Sequence, residues 1–287
     1  MTKCLRRSIK DVSTGKKVKS LASEMLEVVA GLISGSEPEQ VEKNQVLTEP
    51  IDQDQELKVT IQPILEQIKK LAKQYRKKKL TSVPIISVAG CSGAGKTHFS
   101  GQLKKILADE GFNVFLLEQD NFLQYDQGFA DPIEHINPFL KWTQVHEIMQ
   151  QIKNGVSCIS MPHLNRNNMP YIVEHTSVDL SAIEIVLFEG TYSLGDADTY
   201  NFFTYCNLGI FLDTCPANSS QWVKDREKTR LPHLQRTKDK LENDIHAELQ
   251  RYHKFVVPSK KNASFILYKE KKDQYSVFVL HKNIKND

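Results

Sequence analysis

The stretch VAGCSGAGKTHFSG, between Val88 and Gly101, places Gly90, Gly93 and Gly95 close to Lys96 and Thr97. Residues 90–97 fit the pattern G-x-x-x-x-G-K-[ST] at every fixed position, with an apolar run before them and a helical stretch after them. Glycines let a backbone fold around an anion with its N–H groups pointing inward, and the following helix adds its positive end. The pattern therefore predicts a nucleoside triphosphate site, and the alternative is a chance glycine-rich turn.

Each residue of this loop has a predicted role at the nucleotide. Lys96 would reach the β- and γ-phosphates, and the Thr97 hydroxyl would hold Mg²⁺. ATP is thus the predicted co-substrate and Mg²⁺ the predicted cofactor. The predicted nucleotide-binding residues are Gly90, Cys91, Ser92, Gly93, Ala94, Gly95, Lys96 and Thr97.

Two carboxylates follow later apolar runs. Asp120, in FLLEQDNF, comes 24 residues after Lys96, which is the length of one helical crossover. Because ligands bind at the carboxyl ends of parallel strands, Asp120 would accept the proton of an attacking hydroxyl or hold a Mg²⁺ water. Glu189, which ends the run IVLFE, would take a metal water in the same place. The structural alternatives are a loop aspartate that caps the next turn and a strand-end glutamate that faces water.

A basic segment at about 222–240 follows the run LGIFLD. Such a segment could close over ATP and neutralise the charge of the transferring phosphoryl group, with Arg226 as the best single candidate. A charged surface helix is the alternative, because acidic residues are interleaved with the basic ones. The basic residues are Lys224, Arg226, Lys228, Arg230, Arg236, Lys238 and Lys240.

The elements that must position these residues can also be read from the chain. Four short apolar runs stand far enough apart to be joined by helices, which predicts a mainly parallel sheet with helices on both faces. Near the C-terminus, SFILYK and YSVFVLHK flank Glu270–Gln274 and indicate an antiparallel hairpin. The predicted fold is therefore a three-layer α/β/α P-loop NTPase with a C-terminal hairpin and a helical N-terminal extension. The four runs are residues 84–90, 113–118, 184–190 and 208–213.

The extension is expected to cover residues 1–57 and the P-loop domain residues 58–287. A basic arm opens the chain, as a solvated tail or a transit-like or partner-binding segment, and no partner can be named for it. A short helix at 20–35 and an acidic linker at 37–57 follow. The amphipathic helix predicted at 58–80 would pack its apolar stripe on its own domain or touch a membrane.

The composition narrows the function classes. A net charge of +3 is too small to argue for a nucleic-acid partner, and the sequence has no apolar run of a length that would predict a membrane span. The five cysteines form no C-x-x-C pair, which favours a reducing, cytoplasmic setting. The chain also lacks the N-K-x-D and D-x-x-G stretches of a GTPase. Homo-oligomerisation stays open.

Together these stretches resemble the uridine kinase and phosphoribulokinase-like family of P-loop kinases over about residues 83–268. GCSGAGKT, EQDNF, LFEG, IFLDT and YHKFVVPSKKNASFIL are each similar to a stretch of that family. The resemblance implies transfer of the ATP γ-phosphate to a hydroxyl of a small-molecule acceptor. It also implies that Asp120 is the catalytic base, that Glu189 is a Mg²⁺-associated carboxylate and that Arg226 is the lid arginine.

The acceptor side departs from the family pattern. Leu123 stands where the family places a tyrosine. The family's ribose-binding aspartate corresponds in position to Phe139. Arginines of the family are replaced at Ser219 and Trp222, and its Y-D-F-x-x-H stretch by HLNRNNMPY at 163–171. The resemblance therefore implies a kinase without carrying over its nucleoside substrate. Polar candidates for a different pocket are His163, Asn165, Arg166 and Asn167.

Two rival functions remain at this level. The helix before the P-loop also fits a pantothenate-kinase-like or glycerate-kinase-like enzyme. A catalytically silent nucleotide-binding regulatory protein is the alternative from another class, and it would not need Lys96, Thr97, Asp120 and Glu189 together.

Overall fold

The structure, a computed structural model, describes residues 53–123, 140–165, 172–197, 200–215, 218–225, 238–271 and 274–279. The helix predicted at 20–35 and most of the acidic linker lie outside these residues. Residues 218–225 are helical. The other α-helices of the described residues are α1 (Gln53–Thr60), α2 (Gln62–Arg76), α3 (Lys96–Asp109), α4 (Trp142–Lys153) and α5 (Lys238–Arg251). The strands are β1 (Ile85–Gly90), β2 (Val114–Glu118), β3 (Cys158–Asn165), β4 (Ile172–Asp179), β5 (Ile185–Glu189), β6 (Leu208–Asp213), β7 (Phe265–Lys271) and β8 (Gln274–Val279).

The helix predicted at 58–80 is two helices, and the prediction is corrected at both ends. Helix α1 begins at Gln53, inside the predicted linker, and α2 ends at Arg76. The break falls at Ile61, because Pro63 lacks an N–H and suits only the first turn of a new helix. The apolar stripe packs on its own domain and is buried at Ile64, Leu65, Ile68, Leu71 and Ala72.

The main sheet has the strand order β2-β5-β1-β6-β7-β8. Pairing is parallel from β2 to β7, and β8 returns antiparallel to β7 as the predicted hairpin. Strand β1 is buried along its whole length, which explains its continuous apolar sequence. The mainly parallel α/β fold with a C-terminal hairpin is thus confirmed. It brings the carboxyl ends of β1, β2, β5 and β6 to one edge, where such folds bind ligands.

A second, two-stranded sheet was not predicted. Strands β3 and β4 pair antiparallel over their whole length, with Cys158 opposite Asp179 and Pro162 opposite His175. A proline inside a run argues against a strand, yet it is tolerated here because a two-stranded ribbon leaves an edge on each side. The described side chains of β4 are exposed or only partly buried, so that strand carries no apolar alternation to read.

In the described part of the chain, no helix has the length and apolar character needed to cross a bilayer. The boundary of the P-loop domain, placed at residue 58 from the sequence, stays a prediction.

The carboxyl end of β1 packs closely against β6 and yields a first prediction. A Cβ added at Gly90, whose φ is +147°, would lie 2.4 Å from the Leu212 carbonyl oxygen of β6. We expect Gly90→Ala to lower the free energy of unfolding by about 1–3 kcal/mol, since backbone must move to admit the methyl group. Urea denaturation measures this.

Gly101 provides the control for this substitution. It lies inside α3 with nothing within 4 Å of an added Cβ, so Gly101→Ala should raise the free energy of unfolding by about 0.5–1 kcal/mol. Equal stability of the Gly90→Ala variant and the wild type would contradict the close packing of β1 against β6.

Candidate active site

The predicted phosphate-binding loop joins β1 to α3, in the strand–loop–helix context that the motif requires. Gly93 and Gly95 have φ values of +79° and +88°, a conformation that side-chain-bearing residues rarely adopt. Gly95 is also the N-cap residue of α3, so the positive end of that helix lies at the loop. The geometry fits an anion-binding loop.

Lys96 begins α3 and is buried. Its Nζ donates a hydrogen bond to the Cys91 carbonyl oxygen at 3.0 Å, so the side chain folds back along the loop. The Lys96 ammonium also lies near enough to Glu189 to oppose the rise of that residue's pKa. The Lys96 ammonium therefore interacts both with the loop and with the carboxylate at the end of β5.

Thr97 and Glu189 are in direct contact. The Thr97 hydroxyl donates to Glu189 Oε2 at 3.2 Å, across 92 positions of the chain. Glu189 ends β5 and pairs with Val88 of β1 on one side and with Glu118 of β2 on the other. The sheet therefore brings together the hydroxyl and carboxylate that the sequence proposed for Mg²⁺.

Asp120 lies in the 3₁₀ turn Gln119–Phe122, directly after β2. Its side chain is partly exposed, and its negative charge raises the pKa of Glu189. Glu118 of β2 is the register partner of Glu189. The turn therefore starts at the edge of the sheet where β5 ends. The arrangement leaves Asp120 partly exposed and near Glu189.

Burial raises the pKa of Glu189 to about 7, and it is the largest cause of the shift. The Lys96 charge and the Thr97 hydrogen bond oppose this rise, while Asp120 and Glu118 add to it. A carboxylate held this way gains stability when a cation is placed beside it. The chemistry of the donor set, a hydroxyl and a buried carboxylate next to a loop of glycine amides, fits Mg²⁺ bound to nucleotide phosphates.

Sequence reasoning missed Gln119, which ties the Asp120 turn to the segment after β5. Its Oε1 accepts a hydrogen bond from the Tyr192 backbone N–H at 3.1 Å. A Cβ at Gly190 would lie 2.4 Å from the Gln119 Cβ, so the glycine of LFEG provides the space for this side chain. The sequence signal for this contact was the presence of both stretches, Gln119-Asp120 and Phe188-Glu189-Gly190, in one chain.

Asn121 links the same turn to the hairpin of β3 and β4, because its Oδ1 accepts from the Leu164 N–H at 3.2 Å. His163, an acceptor-side candidate, precedes Leu164 and is exposed. Asn165 ends β3, and its side chain lies outside the description. The candidates Arg166, Asn167 and Arg226, the family position Phe139 and most of the predicted lid also lie outside the described residues.

The late PSKKNA stretch has a structural role next to the site. Lys260 forms an ion pair with Asp213, the last residue of β6. Lys261 pairs with Asp196 at 2.8 Å, and Asn262 Nδ2 donates to the Leu194 carbonyl oxygen at 3.0 Å. These contacts hold the segment before β7 against the end of β6 and the segment that follows β5.

Comparisons with known proteins agree with this geometry. No family model matches the chain. A uridine kinase of Ureaplasma urealyticum serovar 10 is 21% identical over 214 residues, covering 70% of this chain and 96% of the relative. A uridine kinase of Ureaplasma parvum serovar 3 is 22% identical over 219 residues, covering 72% and 98%.

Solved structures extend the likeness of the fold. D-glycerate 3-kinase from Cryptococcus neoformans var. grubii serotype A has a TM-score of 0.61 at 10% identity, covering 79% of this chain and 99% of that chain. Phosphoribulokinase from Rhodobacter spheroides has a TM-score of 0.52 at 15% identity, covering 66% and 71%.

The parallel sheet with its glycine-rich loop therefore defines the class as the P-loop kinase fold. Within that class, the resemblance to uridine kinase and phosphoribulokinase-like enzymes predicted from the motifs is confirmed.

Proposed function

We propose that this protein is an ATP-dependent kinase that transfers the γ-phosphate to a hydroxyl group of a small-molecule acceptor, in the manner of uridine kinase. The observation that carries the proposal is the hydrogen bond from Thr97 to Glu189 at 3.2 Å, with Asp120 at the same edge of the sheet. The uridine kinase relatives support the same reaction class. A catalytically silent regulatory protein is not favoured.

The residues divide the work as follows. The amides of the loop and Lys96 bind the phosphates, while Thr97 and Glu189 would hold a metal ion. Bound Mg²⁺ would neutralise charge on the transferring phosphoryl group. Asp120 orients the acceptor and takes the proton of its hydroxyl as the oxygen bonds to phosphorus and ADP leaves. Positioning and charge neutralisation provide the catalysis, with Arg226 closing from the lid as a prediction from the sequence.

The acceptor class is the open part of the proposal. Uridine is the first acceptor to test, because the curated relatives bear that name. Leu123, Ser219 and Trp222 depart from the family pattern, so sugars, glycerate and pantothenate belong in the same panel. We place the enzyme in the cytoplasm because its five cysteines form no C-x-x-C pair in the sequence.

ADP release measured with Mg²⁺-ATP and each acceptor tests this function. We expect one acceptor class to stimulate ADP release, and Lys96→Ala to abolish that stimulation. ATP binding without turnover on any acceptor would instead favour the regulatory alternative. A signal that survives in Lys96→Ala would point to a contaminating kinase.

A further inference from the structure

A buried lysine of the C-terminal hairpin contacts the phosphate-binding loop. Lys269 lies on β7, and its Nζ donates a hydrogen bond to the Ala94 carbonyl oxygen at 3.3 Å. A Cβ added at Gly95 would lie 3.1 Å from the same nitrogen. The sequence motifs assign no role to Lys269, and 175 positions separate it from Ala94.

The surroundings of Lys269 hold its ammonium in place. The side chain is only 7% exposed, although a lysine is costly to bury unless its charge is compensated. Its Nζ lies 4.9 Å from the ring centroid of Trp222 and 5.5 Å from that of Tyr275, distances at which aromatic rings attract a cation. The Thr214 hydroxyl donates to the Lys269 carbonyl oxygen at 2.8 Å and fixes the backbone. These contacts around a buried ammonium indicate a specific role for Lys269.

The hydrogen bond to Ala94 has a consequence for the next amide. In a planar trans peptide the carbonyl and the following N–H point in opposite directions. A carbonyl of Ala94 that is held by Lys269 therefore directs the Gly95 N–H away from the hairpin, into the loop. Gly95, with φ at +88°, has the conformational freedom of glycine, so this peptide plane needs an external contact to keep one orientation.

We infer that Lys269 is a positioning residue for nucleotide binding, which fixes the Ala94–Gly95 peptide so that the Gly95 N–H faces the β-phosphate. This inference rests on the proposed function, because it takes the loop as the site of ATP. It makes the C-terminal hairpin part of the phosphate site, and it gives Trp222, which replaces a family arginine, a role in holding the lysine.

The test compares the affinities of ATP, ADP and AMP for wild type and Lys269→Met by isothermal titration calorimetry. Loss of an oriented amide at a charged phosphate should weaken ATP and ADP by about tenfold. AMP has no β-phosphate, so its affinity should stay within about twofold of wild type. The matched control is Lys254→Met, which removes an exposed lysine that lies over the Phe255 ring.

A spectroscopic readout separates positioning from general packing. In protein labelled with ¹⁵N-glycine and without nucleotide, the Gly95 amide resonance should shift in Lys269→Met and stay in place in Lys254→Met. If Lys269→Met does not fold, Tyr275→Leu replaces it, since it removes one of the rings that hold the ammonium. That variant should weaken ATP and ADP by about threefold and leave AMP unchanged.

The outcomes are distinct. Wild-type affinity for ATP in the folded Lys269 variant, or in Tyr275→Leu where that variant replaces it, would overturn the inference and leave the kinase proposal intact. Equal weakening of ATP, ADP and AMP would also overturn it, because it indicates a packing role. Failure of the wild type to bind ATP, or binding that ignores Lys96→Ala, would overturn the proposed function and this inference with it.

Discussion

Asp120→Asn is expected to lower kcat for phosphoryl transfer by roughly 10²–10⁴-fold and to leave the affinity for ATP nearly unchanged. In the proposed mechanism the carboxylate takes the proton of the acceptor hydroxyl, and an amide cannot take that proton. The substitution does not touch the loop or Lys96, which we propose as the phosphate-binding groups. Steady-state ADP release with the best acceptor, together with calorimetric ATP affinity, measures both quantities.

Glu118→Gln is the matched control for Asp120→Asn. It also removes one negative charge that raises the pKa of Glu189, and it lies in the register position opposite Glu189. We expect kcat of Glu118→Gln to stay within about tenfold of wild type, because a charge that acts only through the local field contributes less than a proton acceptor. Similar losses in the two variants would mean that Asp120 acts through Glu189 and is not the base.

The strand, loop and helix that form the proposed nucleotide site could be predicted from the sequence because local rules determine them. Glycine conformations, the loop-to-helix connection and the apolar strands are encoded within a few residues of each other, and β6 was predicted at its observed bounds, Leu208–Asp213. The positions of Glu189 and Asp120 at this edge could be predicted for the same reason, since one ends a strand and the other follows a strand whose carboxyl end must reach the common edge.

The parts that the sequence did not predict depend on distant contacts. Lys269 reads as one more lysine of a hairpin, and only the packing of β7 beside β6 brings it to Ala94. Gln119 likewise gains meaning only from Gly190 and Tyr192. The hairpin of β3 and β4 was missed because Pro162 interrupts its pattern. Acceptor specificity depends on such long-range contacts, which is why the motifs predict a kinase but not its acceptor.

Glu189→Gln is expected to abolish phosphoryl transfer and yet to stabilise the fold at alkaline pH. Burial raises the pKa of Glu189 from an ordinary 4.5 to about 7, so the folded protein keeps a proton that the unfolded chain loses between these values. The unfolded state binds fewer protons in this window, and wild-type stability therefore falls as pH rises from about 4.5 to 7. Glutamine does not titrate, so the variant escapes this loss.

Urea denaturation in EDTA, at pH 5 and pH 8, measures the effect without a metal ion. The stability advantage of Glu189→Gln over wild type should be about 2 kcal/mol larger at pH 8 than at pH 5. Glu184→Gln provides a control of opposite sign, because the hydrogen bond from Arg76 lowers the pKa of Glu184. That variant should be less stable than wild type at pH 8 and nearly equally so at pH 5, because the stability gained from a lowered pKa is lost only as pH falls below about 4.5, the ordinary pKa of Glu184.

A stability difference between Glu189→Gln and wild type that does not change with pH would mean that Glu189 is ionised throughout and hydrated in solution. Its hydrogen bond with Thr97 would then be that of an ordinary surface carboxylate. The expected result has the opposite meaning for function. A residue whose ionised form destabilises the metal-free fold, and whose loss ends catalysis, is retained for a cation that binds beside it. Adding Mg²⁺-ATP should therefore stabilise the wild type at pH 8 more than it stabilises Glu189→Gln.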